Sequence, residues 1–186
     1  MYDIPAVIFA GGKSSRMGED KALLPFENFS TLSEFQHYKL SLLFNEVYLS
    51  SKENKFNFSC QLIKDTHTQS SPLIALISLF ETIEDEAVFV LSVDAPLIDD
   101  TIIKTLYQNH KKNPHLNAII TKSPKGLQPL CGIYHRSILP LCYTFMSQNN
   151  HKLTALLSKA NTQTIFFRDE NKFTNLNTPD EYLRFR

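Results

Sequence analysis

Short runs rich in β-branched and aromatic residues alternate along the chain with stretches of helical spacing. This alternation constrains the fold more than any other feature. The runs are Ile4 to Phe9, Glu46 to Ser50, Gln61 to Ile63, Ala87 to Val93, Asn117 to Thr121, Ile133 to His135 and Thr164 to Phe167, and each reads as a strand. The intervening stretches Ser33 to Phe44, Pro72 to Ile83, Asp100 to Lys112, Ser137 to Gln148 and Lys152 to Ala160 read as helices. Two of the runs, VIFA and VFVLSV, lack the polar alternation of a half-exposed strand, so they belong in a sheet covered on both faces. The expectation is an α/β, three-layer sandwich with a mostly parallel sheet.

At 186 residues, with 42% hydrophobic content, the chain can bury one good-sized core and is short for two, so residues 1–186 are expected to form a single domain. Nineteen basic and nineteen acidic residues cancel, which leaves no global field for recruiting nucleic acid or an anionic membrane. Any phosphate binding must then be local. The start, Met-Tyr-Asp-Ile-Pro, has neither a basic leader nor a long apolar segment, and a cytoplasmic protein is expected. Cys60, Cys131 and Cys142 suit neither a disulfide framework nor a CxxC metal site.

Ligands of open α/β sheets sit beyond the carboxyl ends of strands. After the first strand, ending at Phe9, the chain reads Ala10-Gly11-Gly12-Lys13-Ser14-Ser15-Arg16-Met17-Gly18-Glu19-Asp20-Lys21. Three of the five glycines fall in this loop. Glycine lets backbone N–H groups approach a ligand closely, and Arg16 and Lys21 can neutralise charge on it, so the composition suits a phosphate chain. The order is neither a Walker A loop nor GxGxxG, and composition alone leaves open a glycine-rich surface turn. After the strand Ala87 to Val93 comes Asp94, with Pro96 fixing the exit of the chain. A carboxylate there could hold Mg²⁺ or could simply cap a following helix.

The order G-G-x-S-x-R-M-G-x-D-K, matched at Gly11, Gly12, Ser14, Arg16, Met17, Gly18, Asp20 and Lys21, closely resembles the signature loop of nucleotidyltransferases that activate sugars, isoprenoid precursors and molybdopterin. Asp94-Ala95-Pro96 resembles the D-x-P motif of the same group. Among these enzymes the chain most resembles the molybdenum cofactor guanylyltransferases, the molybdopterin-guanine dinucleotide biosynthesis protein A family, which implies a Rossmann-like nucleotide-diphospho-sugar transferase fold. By that resemblance Phe9, Ala10, Gly11 and Gly12 lie along the nucleotide, Lys21 and Arg16 meet its phosphates, and Asp94 binds Mg²⁺ against the triphosphate. Asp65, followed by Ser71-Pro72-Leu73, resembles the family's D…G-P-L-x-G and implies a ribose or base contact, although Ser71 and Ala75 stand where glycines are expected. Gln128-Pro129-Leu130 before Gly132-Ile133-Tyr134 resembles Q-P-L/V-x-A-L/V-Y, with Gly132 replacing the usual alanine. Gln128 could face the pterin side, or this polar residue beside a strand-breaking proline could be structural.

The ending Phe173-Thr174-Asn175-Leu176-Asn177-Thr178-Pro179-Asp180-Glu181 resembles F-x-N-x-N-T-P-E-D and makes Asn175 and Asn177 candidates for substrate contacts. Local chemistry explains Thr178, Pro179 and Glu181 as a capping box without any function. The resemblance implies GTP and molybdenum-bearing molybdopterin as substrates. It also implies other molybdenum cofactor biosynthesis proteins and recipient molybdoenzymes as partners. A cofactor cytidylyltransferase, a sugar-phosphate nucleotidyltransferase and a catalytically silent nucleotide-binding module are the rivals. The six histidines form no HExxH or HxH spacing, Ser14 and Ser15 lack a nucleophile elbow, and Lys111-Lys112 suits a helix C-terminus.

Overall fold

In the computed structural model, which describes residues 1–12 and 18–185, seven strands form one sheet: β1 (Ala6–Phe9), β2 (Val47–Ser50), β3 (Gln61–Ile63), β4 (Ala87–Ser92), β5 (Ala118–Ser123), β6 (Gly126–His135) and β7 (Thr162–Phe166). Their order is β3-β2-β1-β4-β6-β5-β7, and every neighbouring pair is parallel except the two made by β6. The helices are α1 (Leu32–Ser41), α2 (Pro72–Thr82), α3 (Asp100–Lys112), α4 (Leu139–Ser147), α5 (Leu153–Lys159) and α6 (Pro179–Phe185). Among the described residues no helix is long and apolar enough to cross a membrane.

Alternate residues of the central strands feed two separate cores, which is the period-2 consequence of a sheet covered on both faces. Ala6 and Ile8 of β1, with Phe89 and Leu91 of β4, pack against Leu32 and Leu40 of α1, Ile102, Ile103 and Leu106 of α3, and Tyr182 of α6. Val7, Phe9, Val88 and Val90 point to the opposite core, with Leu73, Ile77 and Phe80 of α2, Phe145 of α4 and Leu156 of α5. These are the three expected layers. Burying such side chains in full contributes about 1.5–3 kcal/mol each, so the central strands carry much of the stability.

Two boundaries differ from the sequence expectation. The helix expected over Ser137 to Gln148 is split into a 3₁₀ turn, Arg136–Ile138, and α4, since Pro140 is tolerated only in a helix's first turn. The strand expected at Ile133 to His135 begins at Gly126, and Pro129 lies inside it rather than breaking it. The register explains how. Ile120 pairs with Gly132 while the next residue, Thr121, pairs with Gln128, so residues 129–131 bulge away from β5 and the missing N–H of Pro129 costs no ladder bond there. Tyr134 secures the bulge by donating its hydroxyl hydrogen to the Pro129 carbonyl at 2.7 Å.

The same irregularity accounts for Gly132. A Cβ at that position would lie 2.6 Å from the Ile119 carbonyl oxygen and 2.5 Å from Ile120 Cδ1. The Ile120 side chain can rotate, but the backbone oxygen is fixed by the sheet. Gly132→Ala is expected to destabilise the protein by about 1–3 kcal/mol, the usual range for overpacking. Chemical denaturation reads this directly, and an unchanged midpoint would mean that the bulge relaxes freely.

Candidate active site

Parallel pairing brings the carboxyl ends of β1, β2 and β4 to one edge of the sheet, where Phe9 is level with both Ser50 and Ser92. Ile63, the last residue of β3, is level with Ser50. The loops leaving these strands therefore converge. The antiparallel β6 adds its first half to the same edge, because Cys131 pairs with Leu91 and residues 128–130 run past the end of β4.

Two cavities open at this edge and share Ser92 and Leu130 as a wall. The first, about 240 Å³, is lined by Phe9, Gly11, Gly12, Asp65 and Ser71 among others. The second, about 200 Å³, is lined by Asp94, Gln128, Phe173 and Asn175 among others. Gly12 has φ of +138°, a conformation that side-chain-bearing residues rarely adopt, which explains glycine there although the space around it is open. Burial at the first cavity raises the pKa of the Asp65 carboxyl, against the opposing pull of Lys52 and His67. The carboxylate is thus poorly solvated and gains by meeting donor groups of a ligand. Thr66 anchors this segment, since its backbone N–H donates to Ser78 Oγ on α2 at 2.9 Å.

At Asp94, in the wall of the second cavity, Lys21 Nζ donates to Asp94 Oδ2 at 2.6 Å and to Asn177 Oδ1 at 2.9 Å. Three segments that are far apart in sequence meet in that contact. Asp94 does not cap a helix; Asp99 caps α3 instead, accepting from the Ile102 N–H. The other oxygen of Asp94, Oδ1, accepts the Ser92 hydroxyl hydrogen at 2.6 Å, so both oxygens have partners and the carboxylate is fixed in direction. The Leu176 N–H donates to the Asp94 carbonyl at 2.9 Å, which ties the C-terminal segment to this loop. The capping box forms as expected: Glu181 N–H donates to Thr178 Oγ1, and Glu181 Oε2 accepts the N–H groups of Asn177 and Thr178. Its function is to aim Asn177 at Lys21.

The sequence expectations are thus largely gathered in one place. Phe9, Gly11, Gly12 and Asp65 line the first cavity, Asp94, Gln128 and Asn175 the second, and Lys21 and Asn177 meet at Asp94. Ala10 is buried beside them and presents its carbonyl to Lys55. Gln128 Nε2 also donates to Ser123 Oγ at 3.1 Å, so it has a structural partner as well as a cavity face. Arg16 lies outside the described residues.

Four residues that carry no motif also build the site. On α1, Gln36 donates to the carbonyls of Ser92 and Val93, and Lys39, one turn on, donates to those of Pro96 at 2.9 Å and Ile98 at 3.0 Å. They hold the loop that carries Asp94. Ser92 orients the carboxylate itself. Lys55, from the loop after β2, donates to the Ala10 carbonyl at 2.9 Å and pairs with the Asp20 carboxylate. No local feature of the sequence singles out Gln36, Lys39 or Lys55, because their partners lie on distant segments.

Asp94 Oδ2, Ser92 Oγ and Asn177 Oδ1 make an all-oxygen donor set of the kind that a hard divalent cation prefers. Among the described residues no group of three or more His, Cys, Asp or Glu could hold a metal alone. A divalent cation held here would take one carboxylate, that of Asp94, in competition with the Lys21 ammonium, and its other ligands from water and substrate oxygens.

Residues 6–164 match the family model of the MobA-like NTP transferase domain. The chain belongs to the MobA-like NTP transferase family. It is 40% identical, over 100% of its own length and 97% of the relative's, to a molybdenum cofactor guanylyltransferase of Campylobacter jejuni. A protein of the same name from Helicobacter pylori is 33% identical, with 97% of this chain and 90% of the relative covered. The structure of molybdopterin-guanine dinucleotide biosynthesis protein A from Archaeoglobus fulgidus superposes with a TM-score of 0.81 at 19% identity, covering 97% and 96% of the two chains, and so shares the fold.

Burial lowers the pKa of Lys39 from its ordinary 10.5 to about 8. Between those values the unfolded chain binds a proton that the folded one does not, so stability should rise with pH across that window and be flat in this respect below it. Denaturation of the wild type and of Lys39→Met at pH 7 to ~10 checks this. The difference in stability between the two should shift in favour of the wild type as pH rises. A difference independent of pH would show that the ammonium is not penalised by its surroundings.

Proposed function

We propose that this protein transfers GMP from GTP to molybdenum-bearing molybdopterin, releasing pyrophosphate and forming the guanine dinucleotide form of the cofactor. The observation that carries the reading is the Lys21–Asp94 contact at 2.6 Å, with Asp94 in the wall of the second cavity, in a chain 40% identical over its whole length to a molybdenum cofactor guanylyltransferase.

In this reading the first cavity takes the nucleoside of GTP, with Phe9, Ala10, Gly11 and Gly12 along it and Asp65 meeting its ribose or base. The second takes the pterin, with Gln128 and Asn175 as polar contacts. The terminal phosphate of the acceptor attacks the α-phosphorus, a P–O bond to that phosphorus forms, and the bond to the bridging oxygen breaks so that pyrophosphate leaves with the electron pair. A phosphate monoester with its second pKa near ~6 is largely dianionic at neutral pH, so the attack needs no general base. What it needs is relief from charge repulsion. Lys21, with Arg16 and the backbone amides of the glycine loop, neutralises the triphosphate, and Asn177 directs the Lys21 ammonium towards it. Ser92 keeps the Asp94 carboxylate fixed in direction. Mg²⁺ is the cation the donor set suits best, held by Asp94; when bound it screens the phosphate charge and polarises the P–O bonds. The protein works in the cytoplasm, where GTP is available.

Pyrophosphate release with Mg²⁺, molybdenum-loaded molybdopterin and each of GTP, CTP, ATP and UTP tests the reading. Turnover with GTP alone is expected, and turnover with CTP instead would overturn the choice of base while sparing the chemistry. Asp94→Ala should lower the rate by on the order of 10²–10³ or more, as loss of a preorganised electrostatic group does. Near-normal turnover in that variant would remove Asp94 from the mechanism.

A further inference from the structure

We propose that Lys55 is a positioning residue that joins the two ends of the phosphate loop, Ala10 and Asp20, and cancels the charge of Asp20, so that a triphosphate meets correctly placed groups at both ends. The proposal rests on the nucleotidyl-transfer reading of the site. Lys55 lies midway along the polar segment between β2 and β3, where its neighbours Lys52, Glu53 and Asn54 are exposed. Its own side chain is only 16% exposed. The ammonium is directed inwards, to two acceptors at opposite ends of the glycine loop: the Ala10 carbonyl, where β1 ends, and the Asp20 carboxylate, where the loop returns.

Asp20 is itself structural. Its Oδ1 accepts the Ala22 N–H at 3.0 Å and so caps the 3₁₀ turn Lys21–Leu23, the turn that carries Lys21. Ser33 Oγ fixes the far side of that turn by donating to the Ala22 carbonyl at 2.6 Å. A continuous chain of contacts thus runs from Lys55 through Asp20 and the 3₁₀ turn to the Lys21 ammonium on Asp94.

Two effects follow from this arrangement. Joining the ends of a glycine-rich segment lowers the conformational freedom that binding must otherwise remove. Pairing Asp20 also matters electrostatically, since a bare carboxylate beside Lys21 would repel a polyanion that Lys21 attracts. A lysine serving only the folded state has no reason to choose these two acceptors. Whatever this partly buried pair contributes to stability, placement of groups around a reacting substrate affects rates strongly.

The test compares wild type with Lys55→Met, Lys55→Arg, Asp20→Asn and the double variant Lys55→Met/Asp20→Asn. Calorimetric titration with Mg-GTP and Mg-CTP is done without acceptor, and turnover is measured separately. Lys55→Met is expected to weaken nucleotide binding on the order of tenfold and to raise KM for nucleotide while leaving KM for the acceptor unchanged. Lys55→Arg should recover most of the loss, and it also reads the proposal should Lys55→Met fold poorly. Because the two residues act through one contact, the double variant should bind no more weakly than Lys55→Met and more tightly if charge cancellation dominates. Binding by Lys55→Met within twofold of wild type, or a double-variant loss equal to the product of the single losses, would overturn the proposal. A wild type that binds Mg-GTP but releases no pyrophosphate would overturn the transfer reading and leave the positioning role intact.

Discussion

The site depends on β1 and β4 being neighbours in register. Ala6 to Phe9 pair with Phe89 to Ser92, so the glycine loop and the Asp94 loop leave the sheet side by side and at the same height. Strands with residues of this type, apolar on both faces, are stable only in the middle of a covered sheet, and the middle of a doubly wound sheet is where a crevice opens between diverging loops. Burial that stabilises the fold thereby also fixes the position of the chemistry. The points where the chain leaves β1 and β4 are tied to the sheet, because Val93 N–H donates to the Phe9 carbonyl and Ala10 N–H to the Ser50 carbonyl immediately beyond the strands.

On that frame the charges are arranged in crossed pairs. Asp20 and Lys21 are adjacent in sequence but turn to different partners, Lys55 and Asp94. Each pair is partly shielded from water, at 16% and 33% exposure for Lys55 and Asp20 and 16% and 15% for Lys21 and Asp94. Without nucleotide the four groups balance. On the proposed reading a triphosphate would compete with Asp94 for Lys21 while Asp20 stays engaged with Lys55, a local arrangement that the overall charge of zero does not reveal.

The polar residues behind these pairs divide the labour. Gln36 and Lys39 hold the carbonyls of the loop bearing Asp94, Ser92 orients the carboxylate, and the Thr178–Glu181 cap directs Asn177. None of them lies in a loop that composition would single out. A site built on rigid elements with its supporting hydrogen bonds supplied from helices is less prone to misplacement than one carried by loops alone.

Much is legible in the sequence because the relevant signals are local. Apolar runs specify the strands, Thr178-Pro179-Asp180-Glu181 specifies its own cap, and the order of residues from Gly11 to Lys21 points to a nucleotide through its resemblance to a family signature. What fails locally does so for a non-local reason: Pro129 reads as a strand breaker, yet the bulge opposite Ile120 and Thr121 excuses its missing N–H, and Gly132 is explained only by the carbonyl of Ile119 on the neighbouring strand. Lys39, Lys55 and Gln36 give no signal of their own because a side chain's partner across 45 or 57 positions is decided by which strands lie together. The sequence by itself determined the elements and the layer architecture, since these follow from periodicity and residue chemistry along a few neighbouring positions. Only the tertiary structure decided that Asp94 meets Lys21 and Asn177 rather than a helix end, because hydrogen bonds between distant segments depend on strand order and register, which no local pattern encodes.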